Sequence, residues 1–488
     1  MHQRPASMPI SRHWFAWLPR NGRARATLRS GRGILWAATI AGALSGCSAI
    51  EPIVGEAPNL PASYAREVAT GPRRDLKGWW RQFHDPVLDR LVAQAGRQNL
   101  SIAQAKARLA AGRSQAGTAQ SLFLPTVGGS GQALAGNSRE EIVDPLRRPL
   151  LAGFDTSWDA GLFGLSESTE KAAAASRAIA GDELEAVRIA VTAEVAAAYI
   201  GLRSAQHQRE LSTALVAAQE RRVRLARGRA KAGMTSPGED IDSVTSLGEA
   251  QVDLARLDAR AAALRQQIAT LLGVVTPDPA LDRAAPQPVS PGTPAAGRPA
   301  DLLRARPDVR AAEQRVLKAA AEVGIAKADL HPKLRLSGTI GLGGPSIGSP
   351  FGLAGGPSLQ IPLFDYGRRE AAVYARRALL DEALAAYRQT VLTAYQEAAG
   401  ALANWRAAHE ATERQASAIE TERRATRRMG VLHREGLADA GKLADVEVGL
   451  ILARRRLAAA KEVEGLSLVV LFKALGAAVP VSQGEARG

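Results

Sequence analysis

The side chains best able to hold a metal are seven histidines (His2, His13, His84, His207, His331, His409 and His433), and they are dispersed, with no two paired on one helix face. A helix-borne metal site needs two such ligands about one turn apart, so a metalloenzyme finds no support. Gly344-Pro345-Ser346-Ile347-Gly348 has the spacing of a nucleophile elbow, in which a strained strand-to-helix turn raises a serine for acyl transfer. Here it lies between two stretches that read as strands, so it is a loop tip. Trp79 and Trp80 offer a surface for a sugar, yet they precede an Asp85-Pro86 helix start and read more simply as the anchor of the first helix. Met234 and Met429 are isolated, which gives no methionine relay for copper, and no Walker loop occurs. The expectation is no cofactor, no metal and no catalytic residue.

Cys47 is the only cysteine, which excludes a disulfide scaffold. It follows a basic stretch, 20–32, and an apolar run of 11 residues, ILWAATIAGAL at 34–44, too short to span a bilayer as a helix. Leu44-Ser45-Gly46-Cys47 resembles the bacterial lipobox, where small residues admit the peptidase and the cysteine thiol is acylated before cleavage. Residues 1–46 then form a signal peptide with an extended N-terminus, and 47–84 a lipidated tether. The competing reading is a buried cysteine after a chance apolar run. Ser48, not being aspartate, implies outer-membrane delivery. The formal charge of +15 suggests nucleic acid as a partner, but residues 1–46 hold seven arginines and no acid. Without them 56 basic residues face 48 acidic ones, and nucleic acid is not expected.

The chain repeats itself. Leu124-Pro125 returns as His331-Pro332, Ser157-Trp158 as Ser358-Leu359, Leu162-Phe163 as Leu363-Phe364, Gly233 as Gly436, and Leu272-Gly273 as Leu475-Gly476. Fixed-offset similarity marks an internal repeat, here 85–273 and 301–476, joined by the proline-rich linker 274–300 and followed by a tail, 477–488. Each copy reads as helix, glycine-rich stretch, very long helix, short break, helix. The long helices are expected over 166–232 and 368–435, each about 100 Å at 1.5 Å per residue. Neither contains proline. In the second, Leu380, Leu384, Tyr387, Val391, Ala394, Ala398, Leu402, Trp405 and Ala408 step by three and four, the rhythm of a buried helix face. The flanking helices (85–122 and 239–272 in the first copy, 442–475 closing the second) are about half as long, so two end to end match one long helix.

The glycine-rich stretches alternate with period two, as strands do. Over 150–162 Phe154 and Trp158 oppose Asp155 and Ser157; over 333–342 Leu336 and Ile340 oppose Arg335 and Thr339. Segment 126–136 sets Val127 against Ser130, and 351–363 sets Leu359 and Ile361 against Ser358 and Gln360. Tilted membrane strands have this length, with an apolar exterior and a polar interior. A half-buried soluble hairpin alternates in the same way, and the lipobox favours the membrane. Four strands cannot close a barrel and an open edge cannot sit in lipid, so several chains must share one. Two copies give eight strands and three give twelve. The fold class is mostly α with a small antiparallel β part.

Trp79-Trp80-Arg81-Gln82-Phe83-His84-Asp85-Pro86, then 302–313 (LLRARPDVRAAE) and Pro362-Leu363-Phe364-Asp365-Tyr366-Gly367-Arg368, resemble the TolC-like outer-membrane efflux lipoproteins of NodT type. The resemblance covers 47–476. It implies a homotrimer in the outer membrane, extending into the periplasm, whose twelve strands make one barrel and whose helices make a tunnel. A periplasmic adaptor protein and an inner-membrane pump of the resistance-nodulation-division type would feed it, and it would catalyse nothing. Phe154, Trp158, Leu336, Ile340, Leu359 and Ile361 would face outer-membrane lipid. The breaks at 233–238 and 436–441 would be tips touching the adaptor, through Gly233, Met234, Thr235 and Ser236 and through Gly436, Leu437, Ala438 and Asp439.

Nine residues beyond each tip glycine stand Asp242 and Asp445. Three chains would bring six carboxylates to one constriction, disfavouring anions. Acids also favour the first turn of any helix, which leaves a purely structural role open. The sequence departs from the family pattern at Ala440, Gly441 and Val448, where the family often has an aromatic, a leucine and an arginine. The closed state would then rest on fewer contacts, or on others such as Arg434. Two rival readings remain: a lipid-anchored periplasmic coiled-coil scaffold without a pore, and the outer component of a protein-secretion system.

Overall fold

The computed structural model describes residues 58–61, 78–133, 150–234, 239–289, 299–342 and 351–476. Asp85 opens the first repeat by accepting from the amides of Val87 and Leu88 at 2.9 and 3.2 Å, and Pro86 needs no donor of its own at the first helical position. The single helix expected over 85–122 is two, α1 (Pro86–Gln98) and α2 (Leu100–Ser121). Asn99 divides them because its side chain competes for backbone: Oδ1 accepts from the Ser101 and Ile102 amides, and Nδ2 donates to the Leu271 carbonyl at 2.8 Å. Then come β1 (Thr126–Ala133), β2 (Leu150–Asp159), α3 (Leu165–Lys231) and α4 (Glu239–Leu271).

The second repeat contains α5 (Pro307–Ala328), β3 (Lys333–Leu342), β4 (Phe351–Gln360), α6 (Arg368–Arg434) and α7 (Ala440–Ala474). The long helices α3 and α6 each hold 67 residues. Along α3 lie α2 and α4, and along α6 lie α5 and α7, so each long helix carries two shorter partners. Cross-repeat packing is one-sided. Helix α3 also touches α5 and α7, whereas α4 packs along its length against α3 and α6 against α5 and α7.

The stripe of α6 is buried from Leu380 through Tyr387, Val391, Ala394, Ala398, Leu402 and Trp405 to Ala408. The largest core joins the repeats at their middles. Trp79 stacks on Phe472 with ring centroids 5.0 Å apart, among Trp80, Phe83, Leu88, Leu91 and Trp405. The Tyr199 hydroxyl donates to Asp85 at 2.7 Å, and burial, with Asp85 outweighed in part by Arg203, holds its pKa up at about 12. The sheet has the order β1-β2-β3-β4, every pair antiparallel, with β1 and β4 at its edges. Among the described residues no helix is long and apolar enough to cross a membrane.

Candidate functional site

The register of the sheet sorts its side chains by chemistry. Gly129 lies opposite Phe154, Phe154 opposite Ile340, and Ile340 opposite Leu353; further along the sheet Trp158 faces Leu336, and Leu334 faces Leu359. Because side chains alternate, these residues share one face. That face is bare: Phe154 and Leu359 are each 60% exposed and Leu353 is 83% exposed. Ile361, half exposed, stands just beyond the end of β4. Trp158 is tied down at one end of the sheet, its indole N–H donating to the Phe123 carbonyl at 2.8 Å.

The opposite face is polar and cross-linked. Asp155 accepts from Ser130 on β1 at 2.6 Å and from Thr339 on β3 at 2.8 Å, so one carboxylate spans three strands. Thr126 and Ser157 hydroxyls are 2.9 Å apart, and Arg335 lies 3.6 Å from Asp159. The sheet of one chain therefore carries one polar, hydrogen-bonded face and one exposed apolar face.

At the far ends of the long helices, Gly233 and Gly436 adopt left-handed backbones, with φ of 67° and 73°. Each closes its helix in the same way: Met234 N–H donates to the Arg229 carbonyl at 2.9 Å, and Leu437 N–H to the Leu432 carbonyl at 2.8 Å. Met234 and Leu437 protrude, both more than two-thirds exposed. Asp439 caps α7 by accepting from the Gly441 and Lys442 amides at 2.6 and 2.9 Å. Those amides, the Lys442 one foremost, and the nearby Arg229 charge hold its carboxyl below the usual range. The Ala438 carbonyl lies 2.9 Å from His433 Nδ1. Thr235, Ser236 and Cys47 lie outside the described residues.

Asp445 is 3.0 Å from Arg222 of α3, an ion pair between the repeats, and Arg221 adds a second to Glu447 at 3.1 Å. Asp242 is exposed and has no partner among the described residues. Arg434 donates to the Gly430 carbonyl of its own helix at 3.3 Å. One chain thus brings Asp445 to Arg222 and does not bring Asp242, Asp445 and Arg434 together. The sequence reading missed Arg221, Arg222 and Glu447. Their signal was available in the basic end of α3 and the acidic start of α7.

Two buried polar nodes further in were also missed. Glu462 of α7, with its side chain 7% exposed, pairs with Arg260 of α4 and accepts from Ser204 of α3 at 2.7 Å and Gln208 at 3.2 Å. Arg306 donates to the Ala474 carbonyl, Asp308 and Glu397 at 3.0, 2.6 and 2.7 Å. Burial alone would raise the Asp308 carboxyl, but the Arg306 hydrogen bond and charge outweigh it and hold it below its ordinary value. Arg310 joins α5 to Asp182 and Glu185 of α3. The Glu462 and Arg310 contacts fix the two repeats to each other, while Arg306 ties together elements of the second repeat.

The outer membrane efflux protein family matches residues 91–274 and 299–477. The probable efflux pump outer membrane protein SepC of Pseudomonas putida is 29% identical over 461 residues, covering 89% of this chain and 94% of that one. Nodulation protein T of Rhizobium leguminosarum bv. viciae is 28% identical over 336 residues, 67% of this chain and 69% of its own. Among solved structures, the outer-membrane channel OprN is 29% identical with a TM-score of 0.72, covering 87% of this chain and 98% of that one. The open state of the Neisseria gonorrhoeae MtrE outer membrane channel, 23% identical, shares the fold with a TM-score of 0.76 over 86% of this chain and 97% of its own.

Proposed function

The chain belongs to the outer membrane efflux protein family, and from that premise we propose that three copies of it join into one passive duct through periplasm and outer membrane. The protein is an outer-membrane efflux channel. The observation that carries the duct is the sheet, whose apolar face is exposed and whose edges, β1 and β4, are both open. Unpaired backbone cannot lie in hydrocarbon, so each β4 must take the β1 of another copy. Successive strands alternate in direction, which makes that new pair antiparallel as well. Three copies of a four-stranded sheet give twelve strands and a water-filled lumen lined by Asp155, Ser157, Arg335 and Thr339.

The helices support the same closure. Within one chain α3 meets α7 across the repeats, while the equivalent faces of α6 and α4 have no such partner among the described residues. A ring satisfies both by setting α6 of one copy against α4 of the next. Cys47 would carry the lipid that anchors each chain. Phe154, Trp158, Leu336, Ile340, Leu359 and Ile361 would face outer-membrane lipid. The ends at Gly233 to Ser236 and Gly436 to Asp439 would meet a periplasmic adaptor, and an inner-membrane resistance-nodulation-division pump would supply the energy and select the small-molecule cargo. Asp242, Asp445 and Arg434 would line the narrow periplasmic end. The duct has no reaction of its own.

A lipid-anchored scaffold without a pore has no use for a sheet whose apolar face is bare, and lipidation weighs against a protein-secretion component. Planar-bilayer recording of the lipidated, detergent-extracted protein is the test. Discrete conductance steps from verified trimers are expected. A lipid-inaccessible position 154, measured as no added quenching by brominated acyl chains in a Phe154→Trp variant relative to the parent, in trimers that never conduct, would overturn the reading.

A further inference from the structure

The ring just proposed sets α6 of one copy beside α4 of the next, and the present inference rests on that reading. The register of this seam follows from a single chain, because α3 and α7 are the repeat equivalents of α6 and α4, each displaced by 203 residues. Leu215 of α3 and Ile451 of α7 pack in one cluster; their equivalents are Ala418 and Gly248. Two turns further from the tip, Gln208 and Ala458 correspond to Ala411 and Ala255. All four equivalents are exposed in the single chain, and all are small, so the two helices can approach closely along this line.

Nearer the tip the two seams differ in charge. The pair Arg222–Asp445 becomes Ala425 opposite Asp242, and the pair Arg221–Glu447 becomes Arg424 opposite Val244. Arg229, whose charge favours the Asp439 carboxylate, becomes Leu432. Each charged contact that ties α3 to the start of α7 at the tip has therefore lost at least one of its charged members in the other seam. Parting α3 from α7 breaks these ties in every chain, whereas parting α6 from the neighbouring α4 breaks none of their equivalents. We propose that the periplasmic tips part between copies, along the α6–α4 seam, while α3 and α7 of each chain move as one body.

The register is tested first, by cysteine pairs in the full-length lipidated protein. Oxidised Ala411→Cys/Ala255→Cys and Ala418→Cys/Gly248→Cys are expected to give a ladder of up to three linked chains on a non-reducing gel, and the mismatched Ala411→Cys/Gly248→Cys none. A ladder from the mismatched pair alone overturns the register. Rebuilding the missing ties with Ala425→Arg and Val244→Glu is then expected to lower the open fraction in bilayer recordings about fivefold. Adding Asp242→Ala should reverse part of that loss, as should 1 M salt, where screening acts within about 3 Å. Unchanged opening in trimers that cross-link in the expected register overturns the proposal while leaving the duct intact. A protein that forms no trimer by native mass overturns the duct, and the seam with it.

Discussion

Phe154 and Ile340 stand opposite one another on β2 and β3, on the apolar face of the sheet, and both side chains are about half exposed or more. Two large hydrophobes paired across strands with nothing over them are what the proposed lipid-facing side of the sheet requires. A basic residue at the middle of a lipid-facing strand costs about 2–4 kcal/mol, whereas the polar face tolerates one. Phe154→Arg and Ile340→Arg are therefore expected to reduce the assembled protein recovered in outer membranes at least tenfold, and Ser130→Arg to leave it near normal. Quantitative immunoblotting of membrane fractions decides this, and equal losses in all three would contradict the facing of the sheet.

Acylation should depend on one atom. Cys47→Ser is expected to abolish incorporation of labelled palmitate while the chain still reaches the envelope. Intact-mass measurement of the purified protein checks it: an unchanged lipid adduct in the variant would place the modification elsewhere.

Glu462 holds three helices through Arg260, Ser204 and Gln208, so removing its carboxylate leaves buried donors without an acceptor. Such a loss costs about 1–3 kcal/mol. Glu462→Ala should lower the thermal midpoint of helix loss, and Glu462→Gln, which keeps an acceptor oxygen, should lower it less. The far-ultraviolet circular dichroism melt reports the difference, and identical midpoints for the two variants would argue against the node.

The Arg306–Asp308 pair gives a pH dependence with a definite sign. Burial opposes ionisation of Asp308, the Arg306 hydrogen bond and charge override it, and the folded carboxyl sits below its ordinary value of 3.8. A depressed carboxyl contributes stability that is present above the unfolded pKa and is lost as pH falls through the folded one. Asp308→Asn should thus cost about 0.5–1 kcal/mol at neutral pH, a modest figure because the Asp308 side chain is 44% exposed. The gap between variant and parent should close as the pH falls from about 4 downward. A gap that stays constant from pH 7 to 3 in urea titrations would remove Asp308 as its source.

Gly476 ends α7 with φ of 69°, and a Cβ there would lie 2.8 Å from the Ala305 carbonyl oxygen. Its repeat equivalent Gly273, with φ of 72°, would meet the Gln98 carbonyl at 2.7 Å. Backbone strain of this kind costs about 1–3 kcal/mol, so Gly476→Ala and Gly273→Ala should each lower the melting midpoint. An unshifted melt for both would show that the turns can relax.

The repeat, the long proline-free helices and the two-faced strands were legible because each is a local periodicity, and local periodicity is carried by residue order alone. The buried stripe of α6 from Leu380 to Ala408 and the opposition of Phe154 to Asp155 could be read without any long-range contact. The expectation that several chains share one barrel also rests on residue order, since four strands with one apolar face cannot close by themselves.

What only the tertiary structure decided is which distant residues meet. Asn99 breaks a helix that looked continuous because its amide finds the Leu271 carbonyl 172 positions away. Asp242 and Asp445 looked alike in sequence, yet Asp445 pairs with Arg222 while Asp242 stands alone among the described residues, because only the second repeat's short helix has the other repeat's long helix beside it. Glu462, unremarked in the sequence, is the point where α3, α4 and α7 converge. Residue order fixes the period and face of each element, but the partner of a charge depends on which surfaces the packed helices bring together.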